Sequence, residues 1–83
     1  MNALEERLAK CFSLALPSLD EQAIRRASTS GVAAWDSLTT VNLVSLVEEE
    51  FGLAVAAEDV AVFVSFERVL ELVRRQCGPP GAA

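Results

Sequence analysis

Ser37 is the one serine with Asp before it and Leu after it, in the run Trp35-Asp36-Ser37-Leu38. Asp36 and Ser37 are both helix-starting residue types, so the pattern sets a hydroxyl at the first turn of a helix. Such a hydroxyl points outward from a rigid element, where another enzyme can reach it. The chain offers little to activate that hydroxyl itself. It has no His, hence neither the commonest general base nor the commonest metal ligand. No nucleophile–base pair is recognisable, so no catalytic residue is expected and the chain is read as no enzyme. Ser28, Ser30 and Ser65 lack the flanking Asp and Leu. Cys11 and Cys77 match no zinc spacing and make no disulfide framework, so they are read as buried or reduced thiols, with no metal site.

The elements that position Ser37 follow from periodicity. Leu4, Leu8, Cys11, Phe12 and Ala15 predict a first helix over 3–16, with Asn2 as N-cap and Pro17 as its stop. A long loop runs from Pro17 to Trp35, with room for a helical turn over Asp20–Arg26; Leu19, Ile24 and Val32 pin it to the core. Trp35 is read as a loop anchor packing on the first helix. Ser37–Phe51 is the clearest helix, closed by Gly52. On a wheel of about 100° per residue, Leu43, Val44, Leu46, Val47 and Phe51 face inward. Leu38 and Val41 fall in or beside the polar sector. Val60, Val62 and Val64 alternate like a strand but have no second run to pair with, so Glu58–Phe63 is read as a short helix. Ser65 caps a last helix to about Gln76, with Phe66, Val69, Leu70 and Val73 inward, and Gly78, Pro79 and Pro80 end it. The expected fold is all-α: a small four-helix bundle of three longer helices and one short, with a long first loop. Residues 1–77 form the domain and 78–83 a frayed tail.

Eighty-three residues, 52% of them hydrophobic, with 7 basic against 12 acidic groups, give one small domain of net charge −5. That balance disfavours nucleic acid, whose binding needs Lys and Arg to neutralise phosphates, and anionic membrane surfaces for the same reason. It favours a partner with a basic patch. Met1 to Lys10 mixes charge throughout and forms no signal peptide, and no apolar run approaches bilayer length, so a cytoplasmic location is expected.

Glu48-Glu49-Glu50-Phe51-Gly52 closes the helix that Asp36-Ser37-Leu38 opens. Together with the short chain and the long first loop, these motifs resemble the acyl carrier protein family over roughly Leu4 to Val73. The resemblance implies a freestanding, monomeric carrier with 4'-phosphopantetheine, derived from coenzyme A, attached covalently to Ser37. It implies a phosphopantetheinyl transferase as one partner, and acyl-loading and acyl-processing enzymes such as an acyltransferase or ketosynthase as others. Acyl groups would ride as thioesters on the arm's thiol, and a growing chain would tuck among Leu43, Val44, Leu46, Val47, Phe51 and Phe63. Asp36, Glu48 and Glu49 would supply charge, and Leu38 and Val41 apolar contact, for docking.

The chain departs from the pattern in instructive places. Carriers of primary fatty acid biosynthesis are acidic just after the serine, where Thr39, Asn42 and Ser45 are neutral here. Arg25, Arg26, Arg74 and Arg75 add positive charge. Carriers of nonribosomal peptide assembly have glycines before the serine, where this chain has Ala34-Trp35-Asp36. A specialised carrier of polyketide biosynthesis or another secondary pathway is therefore expected. An aminoacyl or peptidyl carrier is one alternative. The other is a non-enzymatic helical interaction module in which Ser37 is merely an N-cap.

Overall fold

Helix α1 forms over Ala3–Ala15. Its apolar residues repeat at helical spacing, and Leu8, Ala9, Cys11 and Phe12 are buried along one face. The structure is a computed structural model that describes residues 3–77. The expected cap at Asn2 and the tail over 78–83 lie outside the described residues. Beyond α1, Leu16 still donates its N–H to the Phe12 carbonyl, and Pro17 prevents another turn.

The long loop contains a five-residue helix, α2, Glu21–Arg25, at the place expected for a single turn. Asp20 is its N-cap, accepting from the Ala23 N–H at 2.8 Å, and Ile24 is its buried anchor. Arg25 pairs with Glu21 on the same helix and with Glu5 on α1, fastening the two elements together. Helix α3 spans Ser37–Phe51, as the start and stop signals predict. A 3-10 segment follows at Ala57–Val62, and α4 covers Phe66–Cys77.

The short helix expected over Glu58–Phe63 is therefore a 3-10 turn. Ala56 before the segment provides no side-chain cap, and short connectors of this kind commonly take the 3-10 form. The strand-like alternation of Val60, Val62 and Val64 leads to no strand among the described residues. It ends in one antiparallel bridge between Ser28 and Ser65, flanked by Thr29 N–H to Val64 carbonyl at 2.9 Å and Phe66 N–H to Ala27 carbonyl at 3.1 Å. That bridge ties the loop to the start of α4, where Ser65 Oγ accepts from the Arg68 N–H at 3.2 Å.

Helix α1 is the common wall, touching α2, α3 and α4. It runs antiparallel to α3: Arg7 meets Glu50, and the Cys11 thiol faces the Leu46 carbonyl at 3.7 Å. The expected inward residues of α4, Phe66, Val69, Leu70 and Val73, are all buried, joined by Leu72. Burial pushes the Cys11 thiol up to about 11, with the Glu50 charge adding to the effect, so it stays protonated at neutral pH. No helix among the described residues is long and apolar enough to cross a membrane.

Gly52 ends α3 in the left-handed region, φ +63°, donating its N–H to the Glu48 carbonyl. A Cβ there would meet no neighbour, so any penalty is one of backbone conformation alone. Gly52→Ala is expected to lower unfolding stability by about 1–2 kcal/mol, read by urea denaturation. A variant as stable as the parent would show that the turn relaxes to negative φ.

Candidate functional site

Trp35 decides where the loop meets α3. It is 3% exposed, and its ring meets Phe12 of α1 edge-on, with centroids 5.3 Å apart and planes at 86°. The indole N–H donates to Thr40 Oγ1 at 3.0 Å, so a buried polar group is satisfied while the loop is locked to the helix's own first turn. Thr39 adds a second clamp, its hydroxyl donating to the Ala34 carbonyl at 2.9 Å. Trp35 is thus the loop anchor that the sequence predicts. The two threonines are positioning residues that the sequence reading passes over. Their signal is the placing of two poor helix formers side by side in a first turn.

Asp36 is the N-cap of α3. Its Oδ1 accepts from the Thr39 N–H at 2.9 Å, and its carbonyl accepts from Thr40. Hydrogen bonding from Thr39 first, and from the Leu38 N–H to a lesser degree, holds the Asp36 carboxyl below the usual carboxylate range. Ser37 is the first residue inside the helix, which corrects the notion of Ser37 as the cap. Its side chain is exposed and makes no hydrogen bond among the described residues. The Leu38 N–H thus also contributes to the Asp36 carboxylate, and the Ser37 N–H has no partner inside the helix, at the positive end of its dipole.

Leu38 and Val41 lie beside this hydroxyl and are 70% and 59% exposed, as the wheel predicts. A third exposed apolar residue, Leu14 on α1, is 63% exposed. It lies about 140° off the centre of the Leu8–Phe12 stripe, a phase that could have marked it in the sequence. Leu14 rims an open groove of about 380 Å³ between α1 and α3, lined also by Ala15, Asn42, Ser45, Leu46 and Glu49. Among the residues expected to line an acyl tunnel, Leu43, Val47 and Phe63 are packed in the core, while Val44, Leu46 and Phe51 are half-buried against it.

The acidic residues do not gather around Ser37. Glu48 and Glu49 sit at the far end of α3, roughly 17 Å along the axis. The three glutamates also divide in role. Glu48 accepts the Val55 N–H at 2.8 Å, holding the segment after α3 in place. Glu50 pairs with Arg7 at 2.7 Å, and the same guanidinium donates to the Glu50 carbonyl and lies 4.7 Å over the Phe51 ring. Only Glu49 projects freely into solvent among the three. The expectation of a common docking role for Glu48 and Glu49 thus meets a structural duty at Glu48, which a sequence distance of seven residues hides. Among the described residues, no group of three or more His, Cys, Asp or Glu is placed to hold a metal ion.

In comparisons with known proteins, no family model matches the chain, and neither a curated protein nor a solved structure matches it.

Two outcomes follow from this geometry. Because the folded Asp36 carboxyl lies below its ordinary value near 3.8, its charged cap stabilises the fold above that pH and is withdrawn as pH falls through the depressed value. The melting-temperature advantage of the parent over Asp36→Asn is expected to persist at pH 7 and to vanish on acidification well below the ordinary carboxylate range. A gap independent of pH would show that the charge contributes nothing. Separately, Glu48→Ala is expected to cost about 1 kcal/mol by orphaning the Val55 N–H. Glu49→Ala is expected to leave melting unchanged; equal losses at both would contradict the division of roles.

Proposed function

We propose that this chain is an acyl carrier protein that accepts phosphopantetheine on Ser37 Oγ. One observation carries the reading: the exposed hydroxyl stands just inside a rigid helix start, with Asp36 performing the capping, so that Ser37 is free of any structural duty. When bound, phosphopantetheine supplies a terminal thiol that holds acyl groups as thioesters. The chain's own part is to present the hydroxyl and to hold the resulting anion. The Ser37 N–H and the positive end of the α3 dipole favour a phosphodiester there, and Asp36, exposed, adds only a water-screened charge beside it.

Leu38 and Val41 give partners a small apolar contact beside the attachment point. With Leu14 and Glu49 bordering the groove next to them, this face suits brief docking by successive enzymes: the transferase, then acyl-loading and acyl-processing enzymes such as an acyltransferase or ketosynthase. The neutral Thr39, Asn42 and Ser45 on the same helix favour a polyketide or other specialised pathway over primary fatty acid synthesis. This reading takes α1, α3 and α4 as the long members of a four-helix bundle and the 3-10 segment as the short one, with α2 an elaboration of the first loop. It also takes the carrier to be cytoplasmic and monomeric.

The test is direct. Incubated with coenzyme A and a broad-specificity phosphopantetheinyl transferase, the intact protein is expected to gain the mass of one phosphopantetheine moiety. Peptide mapping is expected to find it on Ser37, and Ser37→Ala to abolish it without loss of helical circular dichroism. Label retained by the Ala variant, or no label on the folded parent, would overturn the assignment.

A further inference from the structure

The positive charge of this acidic chain is unevenly placed. Arg26, Arg68, Arg74 and Arg75, four of its seven cations, line two adjoining depressions together with Arg25, and the acids in those linings are Glu67 and Glu71. Beyond those four arginines and two acids, the chain holds three cations against ten acids. The other two arginines are committed: Arg25, on the wall of the same depression as Arg26, to Glu5 and Glu21, and Arg7 to Glu50. Among the described residues, the four gathered arginines make no ion pair.

Their placement follows from the phase of α4. Phe66, Val69, Leu70 and Val73 are buried, so Arg68, Glu71, Arg74 and Arg75 form its solvent face. Arg68 stands between two open depressions. One, of about 620 Å³, is lined by Val62, Arg68, Glu71, Arg74 and Arg75. The other, of about 270 Å³, has Arg26 and Arg68 on its walls. Arg74 and Arg75 complement the negative end of the α4 dipole, which gives them a reason to be there without a partner. Arg68 has no such reason, because it sits in the first turn, where a cation opposes the dipole.

We propose that this arginine face of α4 docks a carboxylate-rich segment of a partner protein. Guanidinium groups grip carboxylates through paired N–H donors, and all four cations here are Arg. The interleaved Glu67 and Glu71 fit an occupant bearing discrete carboxylates, one to each arginine site. The same two acids interrupt the unbroken positive face that a continuous polyphosphate needs, which weighs against nucleic acid and anionic lipid. Helix α4 packs on α1, α2 and the 3-10 segment, whereas α3 packs on α1. The arginine face and the Leu38–Val41 face therefore belong to different elements. Docking at α4 does not require that Ser37 be modified.

The experiment titrates the isotope-labelled full chain with an octaglutamate peptide and follows its backbone amide resonances. Shifts are expected to concentrate on residues 67–76 and Arg26, and affinity to fall roughly tenfold as the Debye length shrinks from about 30 to 8 Å with added salt. Exchanging Arg68 and Arg75 for Gln together is expected to weaken binding roughly tenfold with circular dichroism unchanged. Ser37→Ala is expected to bind as the parent does, so the result stands apart from the test of Ser37 modification. Three outcomes would overturn the proposal: shifts centred on α1 or α3, undiminished affinity in the double variant, or tighter binding to an octathymidylate or to phosphatidylserine vesicles than to the peptide. Because the mapping uses the unaltered chain, it decides the matter even if the variant misfolds.

Discussion

The edge-on contact of Phe12 with Trp35 is the constraint on which the geometry around Ser37 depends. Phe12 is wholly buried and meets a second ring, Phe66, at 5.0 Å, so one side chain joins α1, the end of the long loop and the start of α4. Each such aromatic contact adds about 0.5–1.5 kcal/mol to the burial of the rings. Its importance is positional more than energetic. Once Trp35 is seated and its N–H is bonded to Thr40, the next residue must cap α3 and the one after must open it. The exposed serine is placed by a chain of buried contacts that never touches it.

A second constraint acts at the opposite end of α3. Three consecutive glutamates at a helix C-terminus meet both their mutual repulsion and the negative end of the dipole. The fold answers with Arg7, whose guanidinium reaches the Glu50 carboxylate, the Glu50 carbonyl and the Phe51 ring at once. Glu48 spends its charge on the Val55 N–H. What looks in the sequence like one acidic patch is thus a packed helix terminus with a single carboxylate, Glu49, left over for solvent.

How far the sequence reveals this depends on the range of the interaction. The bounds of α3 were legible to the residue, because Asp36 and Gly52 act within a single turn of the places they define. The exposure of Leu38 and Val41 was legible from helical phase, and so was the inward set of α4. The 3-10 form of Ala57–Val62 was not, since its apolar run is too short for periodicity to separate one helix type from another. Nor were the Glu48–Val55 and Arg7–Glu50 contacts, which depend on how the chain turns after Gly52 and how α1 is laid against α3. The bonds of Thr39 and Thr40 are local in sequence, yet they need Trp35 buried first.

The buried thiol of Cys11 has a bearing on chemical housekeeping. A thiolate exchanges acyl groups readily with thioesters, whereas a protonated thiol does so poorly. On the carrier reading, an accessible thiolate close to the attachment point would divert cargo onto the protein itself. Cys11 lies under α3 with its sulfur turned to the Leu46 carbonyl and its ionisation deferred to about pH 11. On that same reading, the packing that makes it a small hydrophobe would also keep its thiol from activated acyl groups, and the hydrophobic core would serve as insulation.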